Sequence, residues 1–365
     1  MMLNLFSEIQ EALTEAQALK EARLLLISSL NKGVIPRWEY FEKELPGPLG
    51  QEILIKVKKK FEELIFWPHL KTTLNEAGNE YFLHGPQNSQ RLNLDGKKVS
   101  FDVDLDVDDW QLWLEIFSLH FHQNWNVQHP FVSFYGEIFD KKYRFSLVHK
   151  STSPSGISKL IIRSISSRPH ALSSFGDATI LQNLVKNKNN ILIAGSTGSG
   201  KTSLLTTLIS NLQNDEHVIV LEDTFEIHAD HKFTTRFLAG DSVETSLKSY
   251  LTYSLRLSPD RIILGEIRSH EVVPLLMAMN TGHKGVMATL HASSAHDALH
   301  RVALLFSLYA SEANLSFEKV MELLCRNIEY VVFMENKKVK EIIKLLGSDK
   351  GQAFFETILR AKCLE

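Results

Sequence analysis

Four segments in the second half of this 365-residue chain carry side chains suited to phosphate chemistry. The first is Gly195-Ser196-Thr197-Gly198-Ser199-Gly200-Lys201-Thr202, with Ser203 directly after it. Its glycines let successive backbone N–H groups turn inward around phosphates, and the start of a following helix adds roughly half a positive charge. The Lys201 ammonium can reach the β- and γ-phosphates of a nucleotide, and the Thr202 hydroxyl suits Mg²⁺. The second is Glu222-Asp223-Thr224-Phe225-Glu226, where Glu222 and Glu226 can hold Mg²⁺ or polarise an attacking water. The third, Arg261-Ile262-Ile263-Leu264-Gly265-Glu266, ends in a carboxylate that would orient that water and touch the metal. In the fourth, Thr281 to His291, His283 precedes and His291 follows a short apolar run; a neutral imidazole there can donate to phosphate or bridge to Glu266.

The elements needed to position these groups are legible around them. The apolar run Ile191–Ala194 before the loop and the helix-compatible Ser203–Leu208 after it give strand, loop and helix in order. Strands over Val218–Leu221, Arg261–Leu264 and Gly285–Leu290 alternate with helices over Thr202–Leu212, Val243–Leu257, His270–Met279 and Ala295–Tyr309. That alternation predicts an α/β domain with a mostly parallel sheet over residues 181–365. A Ser-rich stretch at 166–180 reads as a linker, including Ser166, Ser167, Ser173 and Ser174. Upstream, residues 71–165 read as an α+β domain, with strands over 81–83, 99–107, 131–139, 143–148 and 159–165 and one helix around Asp109–Phe121. Residues 1–70 read as a helical extension, with apolar spacing through Phe6, Ile9 and Leu13 and breaks at Gly33 and Pro46-Gly47-Pro48.

Composition narrows the classes. With 40 Lys+Arg against 43 Asp+Glu the net charge is −3, and no basic-aromatic interleaving marks a nucleic-acid surface. No run approaches the ~20 apolar residues of a membrane span, and the amphipathic N-terminus is not an export signal. Two cysteines, Cys325 and Cys363, make neither a disulfide framework nor a zinc site, so a cytoplasmic location with peripheral membrane contact is expected. Lys56, Lys58, Lys59 and Lys60 read as a solvated helix face in preference to a lipid patch. Asp102, Asp104, Asp106 and Asp108 alternate with apolar residues as in an edge strand; a calcium loop fails because Val107 stands where glycine is needed. His120, His122 and His129 read as structural residues.

The four motifs, in this order, resemble those of the hexameric secretion and pilus ATPases of type II and type IV secretion and type IV pili, look most like the CpaF branch that drives Tad pili, and are also similar to the VirB-type secretion ATPases. The resemblance is specific from 191 to 301, through Leu255 to Arg261 and Ala278 to His283. It implies a P-loop, RecA-like ATPase domain using ATP and Mg²⁺, assembled as a ring of six copies, working against an inner-membrane platform protein without direct nucleic-acid contact. Upstream, Tyr143-Arg144-Phe145 and Ile161-Ile162-Arg163 resemble the family's N-terminal domain, which makes Arg144 and Arg163 candidates for nucleotide-binding arginines. Arg236, Arg256, Arg261 and Arg268 are further candidates for the arginine that completes a site. The chain departs from the family at Ser258, where an arginine is usual, and at Ser269, where a glycine is. Two other readings stay open: a nucleotide-switched scaffold with little turnover, and a DNA-translocating ring.

Overall fold

The computed structural model describes residues 2–47, 49–76, 78–93, 95–165, 169–227, 231–240, 242–310 and 314–360, with the side chains of the first 13 residues left aside. Pro48, Ser166, Ser167 and Cys363, and the Phe6, Ile9 and Leu13 side chains, lie outside the described set. The chain divides into two compact units, Met1–Ile165 and Ser166–Glu365.

The first unit opens with α1 (Met2–Asn31), α2 (Trp38–Glu44), α3 (Gln51–Phe66) and α4 (Pro68–Asn75). On α3 the apolar spacing Ile53, Val57, Phe61 and Leu64 makes one buried stripe, which shares a core with Ala18, Ala22 and Leu26 of α1. The opposite face carries the lysines, and each has a carboxylate partner: Lys56 with Glu15 at 2.6 Å, Lys60 with Asp109 at 2.5 Å, and Lys58 and Lys59 with Glu62 and Glu63 at 4.0 Å. The reading of a solvated face fits those partners better than a lipid patch does.

Six antiparallel strands follow, β1 (Glu80–Leu83), β2 (Ser89–Leu92), β3 (Lys98–Phe101), β4 (Phe131–Ile138), β5 (Lys141–Val148) and β6 (Lys159–Ser164), in the spatial order β3-β2-β1-β6-β5-β4. Between β3 and β4, α5 (Val107–His120) buries Trp110, Trp113 and Phe117. They join Tyr81, Leu83, Phe145, Leu160 and Ile162 from the inner face of the sheet in one core. The strand expected over 99–107 stops at Phe101. Asp106 is the reason: its side chain accepts from the Asp109 N–H at 2.7 Å and caps α5, so the apolar-acidic alternation runs into a helix start. β2 has no counterpart among the strands expected from the sequence. His120 packs edge-on against Trp67, a structural place.

The second unit holds β7 (Ile191–Gly195), β8 (Val218–Glu222), β9 (Thr234–Leu238), β10 (Arg261–Leu264), β11 (Met287–His291), β12 (Tyr330–Glu335), β13 (Lys338–Asp349) and β14 (Gln352–Arg360) in one sheet, ordered β14-β13-β12-β7-β11-β10-β8-β9. Strands β12 to β9 in that order are parallel, and β13 and β14 extend the sheet as an antiparallel hairpin. β7, β8 and β10 are buried at every residue, as strands covered on both faces must be. Helices α6 (Ala178–Lys186), α7 (Lys201–Ile209), α8 (Leu247–Ser254), α9 (Val272–Asn280), α10 (Ala295–Tyr309) and α11 (Phe317–Asn327) complete the unit. One core lies on each face: Leu204, Leu205 and Leu208 of α7 with Leu181 and Leu184 of α6 on one side, and α9, α10 and α11 on the other. The unit is thus α/β with a mostly parallel sheet. α6, capped by Asp177, begins inside the stretch read as linker. Cys325 is buried in α11. Among the described residues no helix is long and apolar enough to cross a membrane.

Candidate active site

Because β7, β8, β10 and β11 run parallel, the segments that follow them emerge at the same end of the sheet, where ligands of such folds bind. β7 delivers Gly195 to Gly200, and α7 starts at Lys201. Gly195 has no room for a side chain: a Cβ would lie 2.5 Å from both the Met334 carbonyl and the Ser199 hydroxyl. Gly200, the residue before α7, takes the left-handed conformation at φ 96°, which turns the chain from loop into helix. Ser196, Thr197 and Gly198 form the exposed rim. Ser199 is buried, and its hydroxyl is among the few buried polar atoms with no hydrogen-bond partner. Thr202 and Ser203 are half-buried in the first turn of α7.

Lys201 is 6% exposed and folded back over its own loop, donating to the Gly195 and Ser196 carbonyls, both at 2.9 Å. Its third contact is His291 Nδ1 at 3.2 Å. On its other side, His291 Nε2 stands 3.0 Å from Glu266 Oε1. An ammonium donates only, so Nδ1 accepts, and the neutral ring carries its proton on Nε2 and donates to Glu266. Burial lowers the His291 pKa and Lys201 lowers it further, against the pull of Glu266, which keeps that neutral form. Burial also lowers the Lys201 pKa, opposed by Glu266 and Glu226.

The second Glu266 oxygen accepts from Arg268 at 2.6 Å, and the same guanidinium pairs with Asp223. Lys201, His291, Glu266, Arg268 and Asp223 therefore form one continuous chain of charge and hydrogen bonds, joining three of the four motifs to the loop. Glu222 closes β8 and is buried; its Oε1 accepts from the Glu226 N–H at 2.9 Å and the Ile227 N–H at 2.7 Å, and burial pushes its pKa up to about 7. Glu226 lies close enough to Lys201 and Arg268 to add to their field.

The remaining candidates lie elsewhere or are engaged. His283 does not join the cluster: it precedes β11 and so sits at the opposite end of the sheet from the loop, with Nδ1 3.1 Å from the Ala278 carbonyl. Spacing in sequence hid this, because a strand crossing the sheet separates the two histidines of one motif. Arg261 lies at that same remote end, buried and paired twice with Glu216 at 3.0 and 3.1 Å. Arg236 donates to the Ile227 carbonyl at 2.6 Å and stacks on Phe225 at 5.3 Å, bracing the acidic turn. Arg256 is exposed beyond α8, and Ser258 two residues on is exposed at φ 51°. Ser269 donates from its hydroxyl to Glu271 at 2.8 Å, and the Glu271 carboxylate in turn accepts the Arg268 and Ser269 N–H groups of the turn into α9. In the first unit Arg144 and Arg163 are partners across β5 and β6 and border a cavity of about 260 Å³; Arg163 pairs with Glu80.

The loop, with its inward turn, its buried lone hydroxyl and its lysine, fits a chain of phosphates. Among the described residues no three His, Cys, Asp or Glu side chains form a metal cage. Mg²⁺ that arrives with phosphate needs none, because it takes one or two protein oxygens and keeps phosphate and water for the rest.

A family described as "Type II/IV secretion system protein" matches residues 151–353. The chain is 32% identical over 177 residues to the conjugal transfer protein TrbB of Rhizobium radiobacter, covering 47% of this chain and 52% of that one. It is 33% identical over 166 residues to the type IV secretion system protein VirB11 of Bartonella quintana, covering 44% and 47%. The chain thus spans about half the length of the curated relatives it matches. The structure of the pilus retraction motor PilT with bound ADP has the same fold, with a TM-score of 0.58 at 21% identity over 81% of this chain and 83% of that one. The family match takes in more than half of the chain and all four motifs, and the protein belongs to the type II/IV secretion system protein family.

Proposed function

We propose that this protein is an ATP-hydrolysing motor of a secretion or pilus system, acting as a ring, six copies in the simplest case, at the cytoplasmic face of an inner-membrane platform. The observation that carries the reading is the continuous chain from Lys201 through His291 to Glu266. It links the group that senses phosphate to the carboxylate that orients water. The loop amides bind the phosphates, and Lys201 exchanges its three contacts for phosphate oxygens. Thr202 and, once freed, Glu266 would hold Mg²⁺, which neutralises charge on the phosphates when bound. With Lys201 withdrawn, His291 and Glu266 are released toward the nucleotide, and Glu266 positions water. Arg144 and Arg163, or an exposed arginine such as Arg256 from a neighbouring copy, would supply the remaining positive charge. Hydrolysis would then change the angle between the two units across residues 166–180 and so move the platform.

One observation favours the scaffold reading: both Glu266 oxygens are engaged, by His291 and Arg268, and water orientation requires one of them to let go. Phosphate release at ring-forming concentration, compared among wild type, Lys201→Ala and Glu266→Gln, decides between the two. The motor requires a wild-type rate well above both variants; equal background rates would leave the scaffold.

A further inference from the structure

Glu222 ends β8 at the ligand-facing edge of the sheet, a place where an acid ordinarily meets metal or water. Its surroundings describe a different task. The far end of the turn that follows is fastened to it: the Glu226 and Ile227 N–H groups donate to one carboxylate oxygen at 2.9 and 2.7 Å. The other oxygen faces Arg236 at 3.6 Å, and that guanidinium donates to the carbonyl of the same Ile227. The neighbouring strand makes room for it. Gly265 donates to the Leu221 carbonyl at 2.8 Å, and a Cβ on Gly265 would stand 3.3 Å from the Glu222 side-chain stem. Glycine before Glu266 is therefore the residue that lets Glu222 lie across the strand.

We infer that Glu222 is a positioning residue: it caps the turn 223–227, which fixes Asp223 against Arg268 and, through Arg268, holds the water-orienting Glu266 in place. The lone pairs of one oxygen are spent on amides, and the other oxygen faces a cation. A metal ligand at the same position would aim a carboxylate oxygen at phosphate instead. The inference deepens the hydrolytic reading and rests on it for its effect on rate; the cap itself does not.

The test uses full-length Glu222→Gln, Glu222→Ala and Gly265→Ala. A carboxamide oxygen can accept from the two amides, alanine cannot, and Gly265→Ala crowds the stem without touching the carboxylate. Without nucleotide, hydrogen exchange over 223–227 is expected to stay at the wild-type level in Glu222→Gln and to quicken about 10-fold or more in Glu222→Ala, with Gly265→Ala between them. In phosphate release, Glu222→Ala is expected to lower kcat about 10-fold with KM for ATP and the half-saturating Mg²⁺ within about two-fold of wild type, and Glu222→Gln to recover most of the loss. Unchanged exchange in Glu222→Ala overturns the cap. Glutamine failing as badly as alanine, with a raised Mg²⁺ requirement and intact amide protection, overturns the positioning role in favour of metal binding. If wild type releases no more phosphate than Lys201→Ala, the hydrolytic reading is lost while the exchange measurement still decides the cap. If Glu222→Ala does not fold, the glutamine and Gly265→Ala pair carries the same contrast.

Discussion

The two ends of the parallel sheet each carry an arginine and a glutamate in contact, and they use the pair in opposite ways. At the end where strands begin, Arg261 and Glu216 are 2% and 5% exposed at their side chains, held by two hydrogen bonds and joined by Lys188 at 3.2 Å. Gly285 closes over the Arg261 side chain so tightly that a Cβ would sit 2.5 Å from its Cδ and 2.6 Å from Nη1 of the guanidinium. At the end where strands finish, Arg268 and Glu266 are 50% and 15% exposed and belong to an open series that runs from Asp223 to Lys201. Charges enclosed in this way exchange partners poorly, and removing one member of such a pair leaves the other under-compensated in a poor solvent. Charges in an open series can exchange partners at little cost, which a site that must respond to phosphate requires. The first arrangement holds the start of β10; the second suits chemistry.

Breaking the open end should have the largest effect on rate. Glu266→Gln is expected to lower phosphate release about 10³-fold with little loss of nucleotide affinity, measured by steady-state release beside fluorescent-nucleotide binding. Breaking the closed end should act on stability instead: Arg261→Ala leaves the buried Glu216 with the half-exposed Lys188 as its remaining counter-charge and is expected to cost about 3 kcal/mol in chemical denaturation. Replacing both Arg261 and Glu216 by Met should return most of that loss, and a double variant as unstable as the single one would refute the account of an under-compensated buried charge. His291→Ala removes one of the two holds on Glu266 and one of three on Lys201, so a fall of about 10-fold in kcat is expected, with the melting temperature nearly unchanged. The smallest effect belongs to His283→Ala, which lies at the strand-start end: kcat within about two-fold and stability within about 0.5 kcal/mol of wild type, as for a surface substitution. A large loss of activity there would show that this end of the sheet takes part in a neighbouring copy's chemistry.

What was legible in the sequence is what local physics dictates. The phosphate loop is set by glycines and by the apolar run before it, and the carboxylate after β10 by its place at a strand end. Two kinds of information were hidden. One is direction across the sheet: His283 and His291 are eight positions apart, yet a strand carries them to opposite ends, and only the parallel register with β7 shows which one meets Lys201. The other is competition between patterns. Alternation at 101–108 reads as a strand until Asp106 is recognised as a helix cap, and the amphipathic run after Asp177 was absorbed into a Ser-rich linker. The C-terminal hairpin, β13 and β14, leaves no clean period-2 signal, because Lys340-Glu341 and Ile342-Ile343 break the alternation where the register with β14 also shifts.

That hairpin and β12 have a consequence for how the protein is made. The carbonyl of Met334 closes the space beneath Gly195, and the Lys337 N–H donates to the Ser199 carbonyl at 3.1 Å. A loop translated by residue 202 therefore lacks its floor until more than a hundred further residues have been synthesised and β12 has slotted in beside β7. During that interval the nascent chain carries the phosphate motif without its native support. A nucleotide that binds only the supported loop would report completion of the domain, and ATP present during refolding should act on the last step of assembly and leave the earlier ones alone.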